Sequence, residues 1–323
     1  MSEAESEMKT SGSATQLRRA ADFALGTVLV TGAARSGSNL LTRLLDGHKE
    51  LFNTFDEMYL LEYIESLDNS DAFLEFFFEG EIGAVIESVH ERSLLPLLRG
   101  PMNESDTTVK HDYKIVFDEP SFVERLGRLR EGRPRTVRAL WSTWFEALAG
   151  PTQANRVVVK SNDYYLSARA AWRHLDDVWA VFTVRHPVQA LSSRRALWEI
   201  QGRGSSFGTC RLIEELDRYK QMNKLLDDVS QDQTVRLKVV RYEDLVANTE
   251  QTIRAVAKFL GVEFDPCFLS PTVNGMPWYG NSAFGRVEGT ALTGGQRENK
   301  LSETEKKLVA RHLEGFMSDF DYA

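Results

Sequence analysis

The fold is decided by residues 28 to 41, which read Val28-Leu-Val-Thr-Gly-Ala-Ala-Arg35-Ser-Gly-Ser-Asn-Leu-Leu41. An apolar, β-branched run ends at Gly32, and leucines at positions 40, 41, 44 and 45 then recur at helical spacing. This order predicts a strand, a glycine-rich loop and a helix. Because backbone N–H groups in such a loop and at a helix N-terminus attract anions, we expect residues 31 to 39 to bind an anion.

The same alternation of strand and helix recurs along the chain. Helical patterns cover residues 164 to 174 and 188 to 200, and apolar strand patterns cover residues 156 to 160, 178 to 184 and 237 to 241. Strands that alternate with helices pair in parallel, with helices on both faces of the sheet. The sequence therefore predicts an α/β fold with a doubly wound parallel sheet.

About a hundred residues separate the first two predicted strands. Apolar clusters such as Phe73 to Phe78 and Leu140 to Phe145 have helical rather than extended character. We expect a helical insert at about residues 60–150 that covers the carboxyl edge of the sheet, where substrates bind in such folds. Residues 1–20 are polar and predict a disordered tail, and we expect residues 21–323 to form a single domain.

Composition narrows the classes of function. The formal net charge of −8 argues against nucleic-acid binding, which requires a basic face. No run reaches the roughly 20 apolar residues of a membrane span, and no signal peptide is evident, so we expect a cytoplasmic protein with no membrane partner. Two cysteines without paired spacing and six scattered histidines predict neither a disulfide framework nor a metal site.

The loop departs from that of nucleoside triphosphatases. Gly32 and Gly37 have the spacing of a Walker A loop, but Ser38 and Asn39 occupy the positions of its Lys and Ser/Thr. The lysine that reaches the β- and γ-phosphates is therefore missing. Arg35 supplies a basic group inside the loop instead, and such a layout needs no metal ion.

Arg35-Ser-Gly-Ser-Asn-Leu-Leu41 resembles the 5′-phosphosulfate loop of sulfotransferases that use 3′-phosphoadenosine 5′-phosphosulfate (PAPS), within the P-loop sulfotransferase superfamily. Asn39 departs from the hydroxyl residue usual at its position, although an amide can donate a hydrogen bond in its place. The resemblance implies a bacterial-type member of this family whose donor-binding loop consists of Arg35, Ser36, Gly37, Ser38, Asn39 and Leu40.

A second motif resembles the 3′-phosphate site of the same family. There an arginine ends a strand and a serine follows eight residues later, as Arg185 and Ser193 do here. The guanidinium suits a dianion, although a surface salt bridge is the alternative for Arg185. The resemblance further implies nucleotide contacts from Tyr242, in a Tyr-Glu-Asp-Leu segment, and from Arg297, in a glycine-rich loop where a solvated charge is the alternative.

The general base is not carried over simply from the cytosolic family members. These have a Lys-Thr-His segment where this chain has Lys160-Ser-Asn162, and asparagine cannot accept the proton. The heparan and tyrosylprotein branches use a glutamate about twenty residues after the basic loop residue, and Glu57 stands 22 positions after Arg35. We therefore expect Glu57 to be the base, with Asp56 and Asp163 as substitutes; a helix-capping role for Glu57 is the alternative.

The resemblance implies transfer of a sulfonate from PAPS to a hydroxyl of a small-molecule or carbohydrate acceptor by in-line displacement, with an amine as the second choice. Arg35 and the loop amides would stabilise the developing charge, and Lys160 or Ser161 would line the acceptor pocket. Two alternatives stay open: a kinase-like phosphotransferase that uses ATP and magnesium, and a nucleotide-binding protein without catalysis. The sequence predicts neither the acceptor nor the oligomeric state.

Overall fold

The computed structural model describes residues 26–57, 61–62, 65, 136–149, 154–204, 207–232, 234–273, 276–278 and 299–322. Its central element is a parallel sheet of five strands in the order β2-β3-β1-β4-β5. These strands are β1 Gly26–Gly32, β2 Leu51–Glu57, β3 Arg156–Lys160, β4 Val178–Val184 and β5 Arg236–Arg241. A short antiparallel pair, β6 Thr272–Val273 and β7 Met276–Pro277, lies apart from this sheet.

Helices connect the strands and follow them. They are α1 Ser38–Leu44, α2 Val137–Ala149, α3 Tyr164–His174, α4 Pro187–Ile200, α5 Thr209–Ser230, α6 Tyr242–Ala247, α7 Thr249–Leu260, α8 Glu303–His312 and α9 Glu314–Asp319, with a 3₁₀ turn at Pro266–Leu269. Among the described residues, no helix has the length and apolar character needed to cross a membrane.

Helices cover both faces of the sheet, which confirms the predicted doubly wound architecture. Leu29 and Phe182 point into a core cluster built with side chains of α2, α3 and α5 and of the C-terminal helices. Val28 and Val181 alternate with them and point into a second cluster built with α1 and α7. Strands that are buried on both faces read as continuous apolar runs, which is why β1, β3 and β4 are legible in the sequence.

The edge strand β2 was not predicted. Its two central residues, Asn53 and Thr54, are polar and yet buried. The Asn53 side-chain amide donates to the carbonyl oxygen of Thr42 at 2.6 Å, and the Thr54 hydroxyl donates to that of Val158 at 3.2 Å. These hydrogen bonds offset the cost of burying polar groups. The polar residues themselves make the sequence of β2 look like that of a loop.

The parallel order brings five chain positions to one edge of the sheet. The strands end at residues 32, 57, 160, 184 and 241, and the carboxyl ends of parallel strands share an edge. The chain leaves β1 for the far edge and later crosses back over β1 from β3 to β4. Ligands bind at such a switch point in open α/β sheets, so this edge is the place to look for a site.

The predicted insert is described only at its two ends. Residues 61, 62 and 65 are helical, and the Glu62 carboxylate contacts Ser161 directly after β3, at the carboxyl edge. At the other end, α2 packs on one face of the sheet, where the indole N–H of Trp141 donates to the hydroxyl of Thr27 near the start of β1 at 2.9 Å. The rest of the insert and the predicted N-terminal tail lie outside the described residues.

Candidate active site

The loop between β1 and α1 has an unusual backbone. Arg35 has a φ of 71° and Gly37 a φ of 103°, both in the left-handed region. Gly37 is the N-cap of α1, and no described side chain caps this helix. The first bond of the helix runs from Leu41 N–H to the carbonyl oxygen of Gly37, so the N–H groups of residues 38 to 40 have no partner within the helix. These groups suit an anion.

Tyr242, the first residue of α6, lies directly against the loop. A Cβ atom at Gly37 would lie only 2.5 Å from Cδ2 of Tyr242. The close approach therefore requires glycine at position 37 as much as the backbone conformation does. The contact brings the end of β5 to the loop that follows β1.

Arg35 and Arg185 converge at the same place. The Arg35 Nε donates to the Ser193 hydroxyl oxygen at 3.2 Å, and an Nη of Arg185 donates to the carbonyl oxygen of Arg35 at 3.3 Å. The Arg185 guanidinium carbon lies 4.4 Å from the centre of the Tyr242 ring, a favourable cation–π distance. All four side chains are partly exposed, so a ligand can reach them.

The structure thus brings together residues predicted from three distant segments. Two guanidinium groups at one loop create a local positive potential that attracts an anion, even though the chain as a whole is acidic. The fork geometry of arginine matches phosphate and sulfonate oxygens. The arrangement therefore suits a ligand with more than one anionic group.

The other loop residues contribute in different ways. Ser36 is fully buried, and its hydroxyl lies 2.7 Å from that of Thr183. Ser38 and Leu40 are also buried, and their backbone N–H groups precede the first hydrogen bond of α1. Asn39 is partly exposed, which leaves its amide accessible for the contact expected of it.

Glu243 connects the segments that carry Arg185 and Tyr242. One of its carboxylate oxygens accepts the backbone N–H of His186 at 3.0 Å, and the other accepts the hydroxyl of Tyr322 at 2.9 Å. Burial lowers the pKa of the His186 imidazole, so this ring is neutral at pH 7. Sequence reasoning gave Glu243 no role, although it lies next to Tyr242 in the quoted motif.

A second group of polar residues lies at the end of β3. Lys160 is buried, and its ammonium donates to the side-chain oxygen of Asn162 at 3.0 Å. The hydroxyl of Ser161 donates to the carboxylate of Glu62, which is also buried. Glu62 was not among the predicted site residues, and no local pattern marks it, because its partner is 99 positions away.

The predicted base residues occupy two places. Glu57 ends β2, and its Cα pairs in register with that of Lys160 on β3. Because β2 lies two strands from β1, the Glu57 backbone is roughly 10 Å from the end of β1. The side chains of Glu57 and Asp56 lie outside the described residues. Asp163 is exposed and accepts the backbone N–H of Leu166 at 3.1 Å as the N-cap of α3, which gives this carboxylate a structural task.

Arg297 lies outside the described residues, but the chain just after it is firmly anchored. The backbone N–H of Lys300 donates to the Ser192 hydroxyl at 2.8 Å. Arg195 donates to the carbonyl oxygen of Lys300 at 2.9 Å and forms a salt bridge with Glu305 at 2.5 Å. The segment that follows the glycine-rich loop is therefore fixed to α4, the helix that carries Ser193. In the described part of the chain, no group of three His, Cys, Asp or Glu residues could hold a metal ion.

Comparison with known proteins bears on the family and the fold. The sequence profile of the Sulfotransferase family matches residues 27–266. A search of curated proteins finds no match. Among solved structures, the sulfotransferase domain from the curacin biosynthetic pathway is similar with a TM-score of 0.53 and 20% identity, over 90% of this chain and 97% of that one.

Two further structures resemble the chain less closely. The sulfotransferase domain of the Synechococcus PCC 7002 olefin synthase has a TM-score of 0.49 and 16% identity, over 89% of this chain and 94% of that one. The sulfotransferase from Alicyclobacillus acidocaldarius has a TM-score of 0.45 and 14% identity, over 90% and 94%. At such identities, structural likeness bears on the fold alone.

Proposed function

The chain belongs to the sulfotransferase family, and from this premise we propose that it transfers a sulfonate from PAPS to a hydroxyl of a small-molecule or carbohydrate acceptor. The products would be the sulfated acceptor and adenosine 3′,5′-bisphosphate (PAP); an amine is the second candidate acceptor. The observation that carries the proposal is the convergence of Arg35, Arg185, Ser193 and Tyr242 at one loop.

The donor would lie along the β1, β4 and β5 ends of the sheet. Backbone N–H groups of residues 38 to 40 and the Arg35 guanidinium would hold the 5′-phosphosulfate, and Arg185 and Ser193 would hold the 3′-phosphate. Tyr242 supports the Arg185 guanidinium, and we retain Arg297 as a further nucleotide contact. A kinase-like enzyme is less well supported, because a Walker lysine is missing and Arg185 and Ser193 would have no task on ATP.

The acceptor would approach from the β2 and β3 side of the carboxyl edge of the sheet. The acceptor oxygen attacks the sulfur in line while the bond from sulfur to the bridging phosphate oxygen breaks. Arg35 and the loop N–H groups stabilise the charge that develops on the leaving phosphate. Glu57, at the end of β2 beside Lys160, would take the acceptor proton, and Lys160 and Ser161 would line the acceptor pocket.

Calorimetry with PAP, and separately with ADP plus magnesium, tests the donor. We expect PAP to bind and ADP with magnesium to bind far more weakly; the reverse preference would overturn the proposal. Arg185→Ala should weaken PAP about 10- to 100-fold relative to 5′-AMP, since charge-assisted hydrogen bonds to phosphate are lost. Arg236→Ala is the matched control, because Arg236 stacks on Trp179 at the same 4.4 Å but lies where β5 begins.

Catalysis needs its own test, because a nucleotide-binding protein without activity would also bind PAP. Incubation with PAPS and a panel of phenols, sugars, amines and alkaloids, followed by mass spectrometry, should reveal a product heavier by one sulfonate. PAP binding with no product from any acceptor class, and no PAP release from PAPS, would favour the non-catalytic alternative.

A further inference from the structure

A series of buried hydroxyl groups runs beneath the donor loop. The hydroxyls of Ser36 and Thr183 lie 2.7 Å apart, and the Thr183 hydroxyl donates to the carbonyl oxygen of Thr31 at 3.2 Å. A threonine hydroxyl has one proton, and that of Thr183 is directed at Thr31. When Thr183 donates to Thr31, the Ser36 hydroxyl is the donor in the bond that it shares with Thr183.

The series continues across the sheet toward the acceptor side. The Thr31 hydroxyl donates to the carbonyl oxygen of Ser161 at 2.9 Å, and the Ser161 hydroxyl donates to the Glu62 carboxylate. The residues that carry these hydroxyls are at most 1% exposed: Ser36, Thr183, Thr31 and Ser161. Each donates in the direction of Glu62, and water does not compete for these bonds.

Both hydrogen-bond donors of Ser36 are thus used inside the protein. Its backbone N–H donates to the carbonyl oxygen of Ala33 at 3.1 Å, and its hydroxyl donates to Thr183. Neither group is directed at a ligand. A Ser36 side chain held in this way would anchor the loop, whereas family resemblance predicts that Ser36 contacts the donor.

Gly32 supports this interpretation independently. A Cβ atom at position 32 would lie 2.2 Å from the carbonyl oxygen of Thr183, 2.7 Å from its hydroxyl oxygen and 2.9 Å from that of Ser36. A side chain there would push Ser36 and Thr183 apart. The first glycine of the motif is therefore needed for the bond between Ser36 and Thr183, apart from any contact with an anion.

The loop needs such an anchor. Arg35, which precedes Ser36, holds a φ of 71°, and Gly37, which follows it, a φ of 103°. A left-handed conformation is unfavourable for a non-glycine residue, so surrounding contacts must maintain it at Arg35. Ser36 is the fully buried residue between these two, which makes its bond to Thr183 the natural restraint.

We propose that Thr183 is a positioning residue of the donor site: its hydroxyl holds Ser36, and thereby keeps Arg35 and the loop N–H groups in the conformation that receives the donor. The proposal rests on the proposed function, because it takes the loop as the PAPS site. Ser36 then serves the loop, not the donor. Thr183 precedes Arg185 by two positions, so β4 supports the 5′ side of the site as well as the 3′ side.

A double-mutant cycle on Thr183 and Ser36 tests this assignment through the Kd for PAP and the KM for PAPS. Thr183→Val and Ser36→Ala should each weaken PAP about tenfold, the effect of one lost buried hydrogen bond. The double variant should be no weaker than the worse single variant, because both remove the same bond. Thr183→Ser keeps the hydroxyl and should restore binding.

A direct contact of Ser36 with the donor would give a different pattern. Ser36→Ala would then weaken PAP while Thr183→Val would not, or the two losses would add, and either result would overturn the proposal. Thr54→Val is the matched control. Its buried hydroxyl donates to a strand carbonyl between β2 and β3, so the change should lower the melting temperature and leave the Kd for PAP unchanged.

Hydrogen exchange separates this proposal from the proposed function. Thr183→Val should speed amide exchange in residues 33 to 40 even without ligand, whereas Thr54→Val should not. If the wild-type protein fails to bind PAP, the proposed function fails and the exchange result still tests the anchor. Unchanged exchange in the loop of Thr183→Val would overturn the positioning role.

Discussion

Arg35 and Ser193, which are 158 positions apart in the chain, are joined by a hydrogen bond of 3.2 Å from Nε to the hydroxyl oxygen. This bond connects the loop predicted to hold the 5′-phosphosulfate with the helix predicted to hold the 3′-phosphate. Because Ser193 accepts from Arg35, it keeps its own proton for a phosphate oxygen. The two ends of the donor would thus be sensed by groups in direct contact.

Ser193→Ala should reduce the preference for PAP over 5′-AMP. The change removes a hydrogen bond to a charged group and releases Arg35 from its partner, so we expect a loss of about tenfold in the ratio of the two dissociation constants. Calorimetry with both nucleotides measures this ratio. Ser167→Ala, a buried serine of α3 that bonds the carbonyl of Asp163, should leave it unchanged; an unchanged ratio in Ser193→Ala would remove Ser193 from the site.

Gly37→Ala should destabilise the fold and weaken donor binding. The new Cβ would lie 2.5 Å from Tyr242, on a backbone with a φ of 103°, and such strain costs about 1–3 kcal/mol. Urea unfolding measures this loss. Gly208→Ala is the control, because a Cβ there meets nothing within 4 Å and the effect should stay within about 0.5 kcal/mol. Equal effects would contradict the contact with Tyr242.

Glu57→Gln should lower kcat by roughly 10²-fold or more, because glutamine cannot take the acceptor proton. The Kd for PAP should change little, since Glu57 lies two strands from the loop. Asp56→Asn, one position earlier, is the matched control and should keep most of its activity. Full turnover by Glu57→Gln would assign the base to another carboxylate, and Asp56 and Asp163 would be tested next.

The salt bridge between Arg195 and Glu305 gives a prediction on acid stability. Hydrogen bonds from Arg195 lower the pKa of Glu305 from 4.5 to about 2. Because the pKa is lower in the folded state, the stabilisation is complete above pH 4.5 and is lost as the pH falls toward 2. Glu305→Gln should therefore lower the free energy of unfolding at pH 7 by about 1–3 kcal/mol.

The difference in unfolding free energy between wild type and Glu305→Gln should shrink as the pH falls from 4.5 toward 2. Urea unfolding at several pH values measures it. A difference that does not vary with pH would mean that ionised Glu305 adds nothing to the stability. Glu250→Gln, at an exposed salt bridge with Arg254 on α7, should cost less than about 1 kcal/mol at pH 7.

How much of the fold the sequence reveals depends on how each strand is buried. Val28 and Val158 lie in apolar runs because both faces of their strands are covered, so β1 and β3 were predicted. β2 was not, because Asn53 and Thr54 fill buried positions with polar side chains. Their hydrogen-bond partners are at distant positions, and a local pattern carries no information about such partners.

The same limit applies to the site. Resemblance to the 3′-phosphate motif of the family predicted that Arg185 and Ser193 belong together, and the structure brings both to the loop. Thr183 was not predicted, because its partner Ser36 is 147 positions away. Ser36 itself was assigned from its motif, and only the three-dimensional arrangement shows that its hydroxyl is directed into the sheet.

The sheet order also divides the carboxyl edge into two parts. The strands that end at the proposed donor residues, β1, β4 and β5, form one side of the sheet, whereas β2 and β3 form the other. Substitutions at the ends of β2 and β3 would therefore lie on the side away from the proposed nucleotide contacts. A sheet divided in this way would allow the acceptor side to change while the proposed donor contacts stay as they are.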